Sequence, residues 1–133
     1  MKYPLDYTAK IRVPYYFTDQ MGVVWHGNYL KFFEDAREEM FRHFGLPYSE
    51  LEKTGVIMPA IAASMRYIRP VRYDDVISVR VLVSAPPRAK MEFAYEVRDG
   101  VGNLCTTGAT TLTFVSAKTG APCRPPAILL GNG

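Results

Sequence analysis

Residues 28–45 read NYLKFFEDAREEMFRHFG, and this stretch decides the fold because its apolar residues recur with a helical period. The apolar stripe consists of Tyr29, Phe32, Phe33, Ala36, Met40 and Phe44. Charged side chains occupy the opposite face, as in a surface helix with one buried side. Asn28 stands at the expected N-cap, Gly45 where a helix commonly ends, and Pro47 just beyond. The stretch therefore predicts one long helix with an aromatic buried face.

The rest of the chain is dominated by apolar and alternating segments that are typical of β-strands. The segments that predict strands are 7–15, 57–68, 76–84, 90–98 and 103–115. Residues 49–55 predict a polar turn, Asp99-Gly100 a tight hairpin turn, and Gly108 a bulge. One strand, one long helix and a run of consecutive strands indicate an α+β fold, in which an antiparallel sheet wraps the helix.

Segments 57–68 and 103–115 carry apolar residues on both faces. A single helix can cover only one face of a sheet, so the other face needs a second cover. A partner subunit is the simplest cover, and we therefore expect a homo-oligomer.

The composition fits one domain in residues 1–120, followed by a Pro- and Gly-rich tail over residues 121–133 that we expect to be flexible. The 133 residues carry a net charge of only +3 without a basic run, which argues against nucleic-acid binding. No apolar stretch is long enough for a signal peptide or a membrane span. Cys105 and Cys123 have neither metal-ligand nor disulfide-framework spacing, so we expect a cytoplasmic protein that binds no metal.

The loop before the helix, residues 19–29, carries the residues best suited to chemistry. A helix N-terminus presents free backbone N–H groups and a partial positive charge, which together favour a developing oxyanion. Asp19 lies a few residues upstream, close enough to fold back beside those donors. Hydrolysis of a thioester needs such a pair, a base or nucleophile near the carbonyl carbon and amide donors near its oxygen. The pair needs no cofactor.

The stretch Tyr16–Glu34, YFTDQMGVVWHGNYLKFFE, resembles the signature of the 4-hydroxybenzoyl-CoA thioesterase-like hotdog family. That signature runs roughly T-D-x-x-G-V-V-x-H-x-N-Y-x-x-[FW]-[FLM]-E, and all its fixed positions are present. Residues 69–75, RPVRYDD, resemble a second hairpin motif of the same family. The resemblance implies a hotdog fold, an assembly as a dimer of dimers, and an active site at the subunit interface.

The resemblance also implies roles for individual residues. Asp19 takes the position of the catalytic carboxylate, which acts as a nucleophile or as a general base on water. The main-chain N–H near His26 would polarise the thioester carbonyl. His26 itself matches a histidine of the bacterial acyl-CoA thioesterase branch, and it either orients the loop or the substrate or caps the helix. Glu34 could be mistaken for the helix carboxylate of another hotdog branch, but Asp19 already fills that role.

The substrate expected from the resemblance is an acyl-CoA, whose 3′-phosphate and pyrophosphate favour basic partners. Arg66 and Arg69 at the end of one predicted strand, and Arg88 and Lys90 at the start of another, are the candidates. We take Arg66, Arg88 and Lys90 as the predicted CoA-binding set.

Other functions remain open at this point. The same fold could hydrolyse thioesters of acyl-carrier protein or dihydroxynaphthoyl-CoA, and a panel of thioester substrates would separate these. A non-catalytic acyl-CoA-binding module has no need for an acid and free helix amides in one loop. A hotdog dehydratase would centre on a different arrangement of His and Asp or Glu.

Overall fold

A computed structural model describes residues 1–131 of the chain. The strands are β1 (Leu5–Arg12), β2 (Val56–Ile57), β3 (Ala60–Tyr67), β4 (Val76–Val83), β5 (Lys90–Arg98), β6 (Leu104–Thr113) and β7 (Val115–Ser116). The α-helices are α1 (Tyr29–His43) and α2 (Tyr48–Glu52), and the 3-10 turns are Tyr15–Phe17, His26–Asn28 and Ala127–Leu129. No helix in this described range is long and apolar enough to cross a membrane.

The main sheet is antiparallel with strand order β1-β4-β5-β6-β3, and β2 and β7 form a separate two-stranded sheet. Helix α1 lies on one face of the main sheet and buries the predicted aromatic stripe as far as Met40. Phe44, the last residue of that stripe, is exposed because α1 ends at His43. The predicted α+β class, one long helix against an antiparallel sheet, is therefore confirmed.

The helix packs closely against the sheet at Gly108 of β6. Phe33 lies stacked on Tyr95, with ring centroids 4.2 Å apart and planes 9° from parallel. A Cβ atom added at Gly108 would come within 2.6 Å of the Phe33 ring. The predicted bulge at Gly108 is wrong, since the β3–β6 register shifts between Ala60 and Ala62 instead. Gly108 makes room for an aromatic ring.

Two turn predictions also require correction. The segment expected to be a polar turn contains α2, whose Leu51 is buried against the core. The β5–β6 connection is longer than a two-residue hairpin, because the Asp99 N–H donates to the Asn103 carbonyl. The Asp99 carboxylate accepts hydrogen bonds from the Val101 and Asn103 N–H groups, and Gly102 adopts a φ of 91°. The carboxylate thus stabilises a wider loop than the Asp-Gly pair predicted.

Strand β3 forms one edge of the main sheet, and all its residues except Met65 are exposed. About half of the Ile61 and Tyr67 surfaces is accessible, at 51% and 50%. The predicted two-sided apolar character of segment 57–68 thus appears as an uncovered apolar edge rather than as burial within one chain.

The C-terminal segment contacts the domain. The Cys123 N–H donates to the Phe114 carbonyl, the Tyr3 hydroxyl donates to the Leu129 carbonyl, and Leu129 is fully buried. The predicted loose tail over 121–133 therefore differs from the contacts seen up to Leu129, because an apolar side chain follows the prolines and fills the core. Residues 132 and 133 lie outside the described range.

Candidate active site

The loop that carries Asp19 is a tight, internally bonded turn. The Asp19 N–H donates to the Val23 carbonyl at 2.9 Å, and the Gly22 N–H donates to the Asp19 carbonyl at 3.0 Å. Gly22 has a φ of 74°, a conformation that glycine adopts at little cost. The Met21 N–H donates to Oδ1 of Asp19 at 2.8 Å, so the backbone of the turn orients the exposed carboxylate. Within residues 1–131 the second carboxylate oxygen accepts no hydrogen bond.

Three hydrogen bonds hold the segment between Asp19 and α1 in place. The Val24 N–H donates to the Val71 carbonyl at 2.7 Å, and the Trp25 N–H donates to the Phe17 carbonyl at 3.0 Å. The Asn28 side-chain amide donates to the same Phe17 carbonyl at 3.0 Å. Asn28 occupies the N-cap position but its side chain does not cap the helix, which corrects the sequence prediction. Asn28 instead ties the beginning of α1 to the loop that holds Asp19.

The 3-10 turn His26–Asn28 leads into α1 and leaves two amide groups free. The Asn28 N–H donates to the Trp25 carbonyl, and the Tyr29 N–H donates to the His26 carbonyl. In the described part of the chain, the N–H groups of His26 and Gly27 donate to no protein acceptor. They correspond to the free backbone donors that the sequence predicted at the start of the helix.

Asp19 and His26 line one cleft of about 370 Å³. The remaining lining residues are Val23, Val24, Trp25, Tyr29, Tyr67, Ile68, Arg69 and Pro70. The cleft therefore brings together the pre-helix loop and the end of β3, which are separated by about forty residues in the chain. Asp19 and His26 thus share one cleft, and their catalytic roles stay a prediction.

Aromatic rings form one wall of the cleft around His26. The Trp25 and His26 ring centroids lie 4.8 Å apart, and those of His26 and Tyr67 lie 6.2 Å apart. The Tyr67 hydroxyl donates to the His26 carbonyl at 3.1 Å. The Trp25 ring lies over Gly27, where an added Cβ would overlap the ring. Gly27 thus permits Trp25 to lie against the turn that carries the free amides.

Tyr67 is the site residue that the sequence prediction missed. Its position two residues before the Arg69-Pro70 pair was an available signal, because the residues around that pair line the cleft. The sequence predicted that Tyr67 lies on a strand, but no local pattern indicated that its side chain would reach a loop about forty residues upstream. The pairing of β3 with β6 explains the contact. Tyr67 lies opposite the fully buried Thr106, so its side chain is on the sheet face that α1 covers.

The basic residues predicted to hold CoA lie apart from one another within one chain. Arg66 precedes Tyr67 on β3 and therefore points to the opposite face of the sheet from the cleft. Arg88 and Lys90 line another cavity, of about 770 Å³, beside the β4–β5 hairpin. Arg69, a basic candidate outside the predicted CoA-binding set, lines the cleft with Asp19.

The described residues also bear on metal binding. Within 1–131, no three His, Cys, Asp or Glu side chains are grouped in a way that could hold a metal ion.

Comparison with known proteins identifies the family. The family model described as the thioesterase-like superfamily matches residues 13–132. The chain belongs to that superfamily. It is thus a thioester hydrolase by family, and its resemblance to hotdog thioesterases is confirmed.

Individual relatives agree with this assignment. The chain is 32% identical over 88 residues to the acyl-CoA thioesterase YbgC of Haemophilus influenzae, covering 65% of each chain. It superposes on the DHNA-CoA thioesterase of Staphylococcus aureus with a TM-score of 0.85 and 33% identity, covering 90% of this chain and 80% of that one. A hypothetical protein of Aquifex aeolicus gives a TM-score of 0.85 at 30% identity, covering 92% and 95%. These similarities confirm the hotdog fold.

Proposed function

We propose that this protein hydrolyses acyl-CoA thioesters to a free carboxylic acid and CoA at the cleft between Asp19 and the start of α1. The observation that carries the proposal is one cleft lined both by the oriented Asp19 carboxylate and by His26, at the turn whose backbone N–H groups find no acceptor within residues 1–131. The family assignment supports the reaction class, and the named acyl-CoA thioesterase among the relatives supports the carrier.

In the general-base route, Asp19 accepts a proton from water while the water oxygen attacks the thioester carbonyl carbon. The carbonyl oxygen becomes an oxyanion, which the free N–H groups of His26 and Gly27 stabilise. Collapse of this intermediate breaks the C–S bond, and the proton passes to the departing thiolate to give the CoA thiol. In the nucleophilic route, an Asp19 oxygen attacks first, and water then hydrolyses the resulting anhydride.

Isotope labelling can detect the nucleophilic route. A single turnover in H₂¹⁸O leaves ¹⁸O in the Asp19 carboxylate only if Asp19 attacks the substrate and water then attacks the Asp19 carbonyl. Mass spectrometry of the tryptic peptide that contains Asp19 reads this directly. Label in the Asp19 carboxylate establishes the nucleophilic route, whereas label found only in the released acid excludes attack of water on an Asp19 anhydride carbonyl.

His26 has a positioning role in this proposal. Its backbone provides one free N–H, while its ring packs between Trp25 and Tyr67. A bulky aromatic wall on both sides limits the positions available to the ring and to the turn. We infer that the imidazole orients the loop and the thioester rather than capping α1.

A second copy of the chain completes the site. The exposed edge of β3 has unpaired backbone groups and large apolar side chains, which a monomer would leave in water. Antiparallel pairing of two β3 edges would cover them and join two sheets into one. It would also place the Tyr67 end of one strand beside the Ala60 end of the other. We propose this dimer as the basic unit, with a dimer of dimers as the assembly.

The same pairing offers a path for the CoA nucleotide. Within one chain, Lys90 pairs with Thr113, at the opposite end of β6 from Thr106 and Tyr67. That separation corresponds to roughly 23 Å along the strand. In the paired dimer, Arg88 and Lys90 of the second copy would move to the Tyr67 end of the first. We propose that they contact the CoA phosphates there, together with Arg66 on the outer face.

A panel of short, long and aromatic acyl-CoAs, with free thiol as the readout, tests the reaction. Asp19→Asn should lower kcat by roughly 10²–10⁴ on any substrate that the wild type hydrolyses, because charge and basicity are lost. Asp35→Asn removes another exposed carboxylate, on α1, and serves as the matched control. The absence of thiol release from every acyl-CoA would refute the proposal, and so would equal activity of the two variants.

A second candidate substrate class has its own support. The similarity to the Staphylococcus aureus DHNA-CoA thioesterase favours an aromatic acyl group as an alternative to a fatty acyl group. An acyl-carrier-protein thioester is a further alternative, and it would be hydrolysed faster than the corresponding acyl-CoA. A non-catalytic module would bind acyl-CoA without releasing thiol.

Location and assembly complete the proposal. Cys105 and Cys123 are free thiols, as expected in a reducing compartment, and we place the enzyme in the cytoplasm. Light scattering should give a mass of four times the 15.0 kDa chain, or at least twice the mass of one chain. Ile61→Lys puts a charge on the β3 edge and should shift the mass towards the monomer. A wild-type monomer at micromolar concentration would contradict the assembly.

A further inference from the structure

A third cavity, of about 200 Å³, lies at the end of the main sheet far from Asp19. It is bounded by α1, α2 and the segment that joins α2 to β3. Its apolar lining consists of Phe41, Leu51, Val56, Ile57, Met58 and Leu112, and its polar lining of Arg37, Tyr48 and Glu52. The cavity thus combines an apolar body with a cationic group.

Arg37 is the unusual member of this lining, because it lies on the buried face of α1 and is only 9% exposed. Its Nε donates to the Tyr48 hydroxyl at 3.2 Å, and its Nη1 donates to the Tyr95 hydroxyl at 3.0 Å. The guanidinium also lies over the Phe93 ring, 5.5 Å from the centroid. Within residues 1–131 its Nη2 donates to no protein group.

Among residues 1–131 the buried guanidinium has no negative partner. No carboxylate of residues 1–131 lies within ion-pair distance of Arg37, and Glu52 at the cavity rim is exposed. Burial raises the pKa of Tyr48 and Tyr95 above their usual range, so both phenols stay neutral at physiological pH. A buried cation without an anion is costly, and this cost falls when an anion enters.

We propose that this cavity binds a compact organic carboxylate, with the carboxylate on Arg37 and an apolar body of about one aromatic ring against the lining. A dry cavity of roughly 150 Å³ is known to accept benzene, so 200 Å³ suits a ring with one small substituent. A planar guanidinium with a free nitrogen is well suited to a carboxylate.

The origin of this carboxylate rests on the proposed function. Antiparallel pairing of β3 with a second copy brings the Ile57 and Met58 rim of one cavity towards the Tyr67 end of the other chain. The carboxylate in the cavity of one chain is then the far end of an acyl group whose thioester lies at Asp19 of the other chain. The alternative source is a free carboxylic acid, bound as product or effector.

Direct binding tests the site without any need for hydrolysis. Isothermal titration with benzoate and with its neutral isostere benzamide should give at least about tenfold tighter binding of benzoate, because an ionised acceptor strengthens each hydrogen bond. Arg37→Met should weaken benzoate binding by about tenfold or more. Arg42→Met removes an exposed arginine of the same helix and should leave binding unchanged.

A second variant, Met58→Trp, tests the proposal if Arg37→Met does not fold. This change fills the cavity from its half-buried rim and leaves Arg37 in place, so benzoate binding should be lost. Equal binding of benzoate and benzamide by the wild type would overturn the proposal. Benzoate binding that survives both Arg37→Met and Met58→Trp would overturn it as well.

Kinetics then identify the source of the carboxylate. A kcat/KM for 4-carboxybenzoyl-CoA that exceeds the value for benzoyl-CoA, and a preference that Arg37→Met abolishes, assigns the cavity to the substrate. Benzoate binding through Arg37 without such a preference supports the cavity and assigns it to a free acid. Hydrolysis of neither thioester would count against the proposed function and leave the binding result intact.

Discussion

Gly108→Ala should destabilise the protein, because the space for a Cβ atom at this position is occupied by the Phe33 ring. The added carbon would lie 2.6 Å and 2.7 Å from two Phe33 ring atoms and 3.0 Å from the Ser64 carbonyl oxygen. Ordinary van der Waals contact begins at 3.4 Å, so the ring would have to move by about 0.8 Å. The Ser64 backbone on the neighbouring strand limits the alternative of shifting β6.

The cost follows from how tightly Phe33 is held. Phe33 is fully buried and stacked on Tyr95, so displacement disturbs a second buried ring that is hydrogen bonded to Arg37. Overpacking of this kind costs about 1–3 kcal/mol. For a chain of this size, each kcal/mol corresponds to a fall in Tm of roughly 3–6 °C.

Urea unfolding at one fixed protein concentration measures this effect, with Gly100→Ala as the matched control. A Cβ at Gly100 would meet only the Val76 carbonyl oxygen at 3.7 Å, an ordinary contact. The control also corrects for the loss of unfolded-state entropy that accompanies any Gly→Ala change. Equal unfolding midpoints of the two variants would refute the claim that Phe33 is fixed against Gly108.

The remaining predictions concern the site. Tyr67→Phe removes the hydrogen bond to the His26 carbonyl and should lower kcat/KM about fivefold, the effect of roughly 1 kcal/mol, with Tm nearly unchanged. An unchanged kcat/KM would show that this hydrogen bond has no role in the reaction. Neutral variants of Arg66, Arg88 and Lys90 should raise KM for acyl-CoA but leave kcat and acyl-pantetheine hydrolysis unaffected; an equal rise of KM for both substrates would indicate a structural role. EDTA should leave the rate unchanged, and complete dependence on an added divalent ion would contradict the mechanism.

The local elements could be predicted because their signals are short-range. The helical period of residues 28–45 predicted α1 to within two residues at each end, and Gly45 with a φ of 82° follows its end as expected. The strand predicted at 90–98 coincides with β5, where apolar and polar residues alternate almost without exception. Both patterns arise from burying one face against the same core.

Other predictions failed where a long-range contact competes with a local preference. Asn28 is a good N-cap by residue type, but the Phe17 carbonyl attracts its side chain. Residues 121–131 have a composition typical of loose chain, yet Leu129 fills the core. The register of β3 also directs Arg66 to the sheet face opposite the Asp19 cleft, and its contact with CoA stays a prediction. None of these competing contacts can be predicted from the local sequence.

The candidate site combines both kinds of information. Asp19 and His26 could be predicted because the motif places them in one short loop before one helix. Tyr67 and Arg69 enter the same cleft only because β3 pairs with β6 at the edge of the sheet. That edge is also the least covered part of the chain, so the residues that shape the cleft are the ones that a second copy would touch. Substrate specificity is therefore expected to depend on the assembly, and variants of the β3 edge should alter substrate preference as well as mass.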